Sequence, residues 1–120
     1  MAIMIHITYK GSANNAQLFA NEMLDSGIIE KIRKNPGNLQ YDYFIPISDP
    51  HSVLLIDCWK DQQALDIHHQ SEMMNEILVL RTKYNLSMDV KRYVVNDDLI
   101  PEYDQKFIKK INSITITRVN

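Results

Sequence analysis

The sequence is poor in the residues that mark several protein classes. Among its 120 residues there is one cysteine, Cys58, so no intramolecular disulfide can hold the chain together. The opening stretch Met1-Ala2-Ile3-Met4-Ile5 is apolar but meets His6 and Lys10, far short of the roughly 20 apolar residues of a membrane helix or a secretory leader pattern. A lone thiol and no leader pattern lead to the expectation of a cytoplasmic protein. The three glycines, Gly11, Gly27 and Gly37, stand apart, which excludes a glycine-rich phosphate loop or a dinucleotide fingerprint. Excess charge of one sign is also missing. A net charge of -2 gives no electrostatic footprint for nucleic acid, and Lys109-Lys110 is too short a cluster to change that. Repeats and low-complexity segments are absent. The only adjacent histidines, His68 and His69, would diverge by about 100° on a helix and cannot chelate one ion side by side, so no metal site is expected.

What is present is an ordinary globular composition, 45% hydrophobic and 23% charged, in a length suited to one domain. Ile3, Ile5, Ile7 and Tyr9 alternate with Met4, His6 and Thr8, the period-two pattern of a strand. Asn14 and Gln17 have capping-box spacing, and Ala16, Phe19, Ala20, Met23 and Leu24 follow at helical spacing until Gly27. Residues 28–34 form a short second helical piece. After the turn Pro36-Gly37, a strand is expected from about Leu39 to Ile47, with Leu39, Tyr41, Tyr43, Ile45 and Ile47 on one face. The loop Ser48-Asp49-Pro50-His51 leads into a strand over 53–59 whose start is apolar on both faces, as in a strand buried on both sides. Asp61 is placed to cap a helix through His69. Ser71 is placed to cap a further one bearing Met73, Ile77, Leu80 and Tyr84. A last strand is expected over about 86–95.

The order strand, helix, strand, strand, helix, strand is the βαββαβ pattern of a ferredoxin-like α+β fold, a four-stranded antiparallel sheet with helices on one face. Residues 1–95 hold that domain. Residues 96–120 form a C-terminal extension, with a short helix near Gln105–Lys110 and a β-prone run at Ser113–Thr117 that could add an edge strand. Helices on one side leave several hundred Å² of apolar sheet bare on the other, which monomers rarely tolerate. A two-fold homodimer with facing sheets, a dimeric α+β barrel, is the economical arrangement.

Three segments, in order and each on the expected element, resemble the antibiotic biosynthesis monooxygenase family. They are Pro36-Gly37-Asn38-Leu39-Gln40-Tyr41-Asp42 entering a strand, Asp57-Cys58-Trp59 as an acidic-x-Trp strand end, and Ala64-Leu65-Asp66-Ile67-His68 as the helix that follows. The resemblance covers roughly residues 1–95. The sequence departs from the family pattern at Asp57, where Glu is commoner, and at Met73, where several relatives carry a second His. Leu78 lies about where the haem-degrading branch has its axial His, so haem, which needs an axial ligand, is not expected.

The resemblance implies a cofactor-independent monooxygenase, a quinol monooxygenase in kind, that oxidises a small quinol or anthrone-type aromatic with O2. A base removes a proton, the electron-rich anion passes an electron to O2, the radical pair recombines, and the hydroperoxide loses water to leave a quinone. His68 suits the base, since an imidazole titrates near neutrality. The plainer reading is a helix histidine bonded to Asp57 or to a carbonyl. Asp57, the one charge in an apolar strand, must be paired or protonated and is expected to orient His68. Asn38, Tyr41, Trp59 and His6 are the candidate substrate-binding groups, set against ordinary turn chemistry for Asn38 and core packing for Trp59 and His6. Two other functions share these parts: an isomerase of a small hydroxyketone, and a non-catalytic dimeric ligand-binding or stress-response protein.

Overall fold

A computed structural model describes residues 1–109. Its elements are β1 (Ile3–Lys10), α1 (Asn15–Asp25), α2 (Ile28–Arg33), β2 (Asn38–Phe44), β3 (Ser52–Trp59), α3 (Gln62–His69), α4 (Glu72–Lys83), β4 (Ser87–Val94) and α5 (Glu102–Gln105). The strands form one antiparallel sheet in the order β2-β3-β1-β4, the ferredoxin-like α+β topology that the pattern predicts. The expected edge strand at Ser113–Thr117 lies outside the described residues.

Alternation sets the two faces of the sheet. Ile3, Ile5 and Tyr9 of β1, Val53, Leu55, Asp57 and Trp59 of β3, and Tyr41 of β2 are buried beneath the helices. Phe19 of α1 fits between Tyr9 and Tyr43, with ring centroids 4.8 and 6.2 Å away. The opposite face carries Met4, His6, Thr8, Leu54 and Ile56, all partly exposed.

Local chemistry explains where elements begin and end, and where the sequence misleads. Asp61 caps α3 as expected, its Oδ1 accepting from the Ala64 amide at 2.8 Å. Gly27 has φ 83°, the left-handed conformation that lets α1 end and α2 start without a break between them. The capping box at Asn14 does not form; Gln17 instead donates to the Pro50 carbonyl at 2.7 Å, tying α1 to the β2–β3 loop. Strand β2 stops at Phe44 rather than Ile47, because Pro46 has no N–H for the ladder, and Ile45 and Ile47 are exposed. A register shift between Asn38 and Gln40 makes Leu39 the extra residue of a bulge and turns it to solvent, away from the face of Tyr41 and Tyr43.

One feature of the helix layer creates the site. Helices α1 and α2 pack on strands β1, β2 and β3, and α3 packs on β3, whereas α4 packs chiefly on α1, α2 and α3. Strand β4 is held mainly by β1. A hollow is therefore left between α4, β4 and the inner face of β1 and β3.

Candidate active site

The hollow has a volume of about 330 Å³. Its floor comes from Ile5, Ile7 and Leu55 of the sheet, its roof from Leu65, Met74 and Ile77 of the helices, and its open flank from Met88 and Val90 of β4. Asp57, Tyr41 and His68 reach into this largely aliphatic space from β3, β2 and α3.

The local fold explains how α3 brings His68 there. At Gly37 a Cβ would collide with the Ala64 side chain, so the Pro36-Gly37 turn lets α3 sit close on the start of β2. Lys60 donates its amide to the Gly37 carbonyl at 2.9 Å, closing the same corner. One turn further along α3, His68 is only 2% exposed and its ring stacks on Trp59, with centroids 4.7 Å apart and planes 25° apart. Ser71 Oγ donates to the His68 carbonyl at 2.6 Å and fixes the break before α4.

Asp57 is not bonded to His68 as the sequence leads one to expect. Its Oδ1 accepts from Trp59 Nε1 at 2.6 Å, so the indole, fully buried, joins the carboxylate to the imidazole by a hydrogen bond on its edge and a stack on its face. His68 Nδ1 is buried without a hydrogen-bond partner among the described residues. Burial pushes the Asp57 carboxyl from 3.8 up to about 7, and the Trp59 N–H draws it back only in part. Burial, helped by the adjacent His69, pushes the His68 imidazole down from 6.5 to about 4. Near pH 7 the imidazole is neutral and the carboxyl is poised to gain or lose a proton. The Tyr41 phenol is raised well above its ordinary range, chiefly by burial, and stays protonated.

The six candidate residues thus divide. Asp57, His68 and Tyr41 share the cavity, and Trp59 backs it. Asn38 does not reach it: its Nδ2 donates to the carbonyls of Gln40 and Cys58 at 3.2 and 3.3 Å, pinning the bulge. His6 projects from the opposite face of the sheet, beside Tyr93, with ring centroids 5.0 Å apart. The one-residue alternation along β1 that aims Ile5 and Ile7 inward necessarily aims His6 outward.

Sequence reasoning missed four polar groups on the cavity wall: Gln62, His69, Arg81 and Arg92. A signal for two of them existed. Arg81 follows Met74 and Ile77 at helical spacing on the apolar stripe of α4, and Arg92 shares the inward register of Met88 and Val90 on β4. No described group of three or more His, Cys, Asp and Glu residues could hold a metal, and no described helix is long and apolar enough to cross a membrane.

An antiparallel ferredoxin-like sheet with an apolar hollow between sheet and helices, holding a few buried acid-base groups, defines a small-molecule α+β domain. The sequence pattern of the antibiotic biosynthesis monooxygenase family matches residues 2–78, and the chain belongs to that family. Over 44 residues it is 27% identical to "Putative monooxygenase YcnE" of Bacillus subtilis, a match spanning 37% of this chain and 46% of that one, or under half of the relative's length. Among solved structures, a "putative antibiotic biosynthesis monooxygenase" of Deinococcus radiodurans superposes with a TM-score of 0.70 at 17% identity. It covers 82% of this chain and 97% of its own. A conserved protein of Methanosarcina mazei Go1 gives 0.67 at 24% identity, over 78% and 91% of the two chains. At these identities the likeness is one of fold.

Proposed function

We propose that this protein is a monooxygenase that works without a metal or organic cofactor, converting a small phenolic or anthrone-type aromatic to a quinone with O2. The observation that carries the reading is the meeting of a carboxyl held near 7, a neutral buried imidazole and a protonated phenol in one aliphatic hollow. Family membership supports the same reaction class.

On this reading the roles expected from sequence are exchanged. General bases work best when their pKa lies near the working pH, which favours Asp57 over His68 as the proton acceptor. The neutral His68 and the Tyr41 hydroxyl then bind the substrate oxygen by hydrogen bonds, and the aliphatic walls keep water from the electron-rich anion. Asp57 takes the proton of a phenol bearing a free ring C–H opposite its oxygen. The anion gives one electron to O2, forming superoxide and a substrate radical, and these combine at that carbon. The resulting hydroperoxide loses water, leaving a carbonyl there; one atom of O2 stays in the quinone and the other leaves as water. Oxygen uptake with a panel of naphthols and anthrones that bear a free C–H opposite the oxygen is the test. kcat/KM is expected to rise through an apparent pKa near 7. That midpoint should disappear in Asp57→Asn and remain in a slower His68→Gln variant. No oxygen consumption with any member of the panel, or a midpoint that follows His68 instead, would overturn the reading.

The partly exposed sheet face bearing Met4, Leu54 and Ile56 supports a two-fold homodimer with facing sheets. Light scattering is expected to give twice the chain mass, and the mass of one chain in Ile56→Lys. A monomeric unsubstituted protein removes the dimer and leaves the cavity chemistry as it stands.

A further inference from the structure

The protein carries a net charge of -2, yet the cationic side chains on its cavity wall, Arg81 and Arg92, have no carboxylate partner among the described residues. The two are not equivalent. Arg92 is exposed on the edge strand and already engaged: its Nη2 donates to Gln62 Oε1 at 2.9 Å, and Gln62 Nε2 in turn donates to Asp66 at 2.9 Å. Arg81 is half-buried in the last turn of α4, and its hydrogen-bond partner is the Met88 thioether, 2.8 Å from Nη1. A thioether is a weak acceptor, so the five donors of this half-exposed guanidinium have no strong partner among the described residues and are available to a ligand at the edge of the aliphatic wall. The group that satisfies such a fork is a carboxylate, bound side-on by two parallel hydrogen bonds.

We infer that the cavity takes an aromatic carboxylic acid, with its carboxylate on Arg81 and its phenolic ring against His68, Tyr41 and Asp57. The aliphatic residues between the two ends, Ile7, Met74 and Ile77, accept the ring faces. The volume of about 330 Å³ suits a bicyclic body with one acidic substituent. The inference names the substrate class of the site proposed above, but it concerns binding alone and holds with or without turnover.

Calorimetric titration under argon at pH 7 tests it, comparing 5-hydroxy-1-naphthoate with its uncharged primary carboxamide. The acid is expected to bind about tenfold more tightly or better. Arg81→Gln should remove that preference, weakening the acid by about tenfold or more and the carboxamide by much less, and Arg92→Gln should reduce it less. Equal affinities in the unsubstituted protein overturn the inference. So does an Arg81→Gln variant that loses acid and carboxamide equally, or a failure of both compounds to bind. Oxygen uptake separates this result from the reaction itself. Selective binding of the acid with no turnover of any aromatic removes the oxygenase and keeps the anion site. Turnover of the carboxamide with no preference for the acid does the reverse.

Discussion

Asp57→Asn is expected to be more stable than the unsubstituted protein by about 4 kcal/mol at pH 8, and no more stable at pH 3. The Asp57 carboxyl is raised from 3.8 to about 7, so between those values the folded state keeps a proton that the unfolded chain has released. A raised carboxyl value favours folding only while the group is neutral. Its contribution is complete below pH 3.8 and is lost by about pH 7, roughly three pH units at 1.36 kcal/mol each. His68 runs the other way. Its imidazole is lowered from 6.5 to about 4, so the folded state excludes a proton that the unfolded chain accepts. That costs about 3 kcal/mol as the pH falls through the same interval. In the natural sequence the two slopes nearly cancel between pH 4 and 6.5. With Asp57 replaced, the slope of His68 stands alone, and stability should climb by about 3 kcal/mol from pH 4 to 6.5. Urea unfolding across pH 3–8 measures both effects. A flat profile in the variant would mean that His68 is not kept neutral by burial. The same substitution removes the proposed proton acceptor and is expected to lower kcat by about 10²-fold or more. A change that stabilises the fold while disabling catalysis is the signature of a functional rather than structural carboxylate.

The second large effect concerns Trp59. Truncation to alanine empties a fully buried indole and is expected to cost about 3–5 kcal/mol, a sizeable part of the roughly 5–15 kcal/mol that holds a domain together. Trp59→Phe is the more informative change. It keeps a ring to stack on His68 but removes the N–H that reaches Asp57 at 2.6 Å. That bond favours the ionised carboxyl, so its loss should move the Asp57 midpoint above 7, and the rise of kcat/KM with pH should move with it. An unshifted midpoint in a folded Trp59→Phe protein, with circular dichroism to establish folding, would show that the indole only fills space. A shifted midpoint would make Trp59 a positioning residue of the proposed reaction, acting through the carboxyl and imidazole it touches.

How far the site was legible depended on the range of each interaction. His68, Asp57 and Tyr41 could be singled out because each breaks a local pattern: an imidazole on a helix, a charge in an apolar strand, an aromatic on the strand face that alternation turns inward. The Asp57–Trp59 bond was not legible, because it depends on which of two neighbours a carboxylate meets. The indole two residues away on the same strand face lies nearer than any local rule discloses. Asn38 was misplaced for a related reason. A bulge makes its side chain part of the β2–β3 joint, and bulges have no pattern of their own in sequence. His6 belonged to the same strand as the cavity floor, and only the choice of face sent it away.

The sequence by itself determined the order of elements and the α+β class, because those follow from periodicity, Asp and Gly punctuation and the length of apolar runs. It also determined that a few acid-base groups would sit among aliphatic residues. The tertiary structure alone decided that α4 stands off the sheet, that Arg81 and Arg92 share the wall of the resulting hollow, and that burial brings the carboxyl near 7 and the imidazole near 4. Those outcomes depend on what surrounds a side chain in space, since desolvation and pairing act across the packed interior and leave no trace in the spacing of residues along the chain.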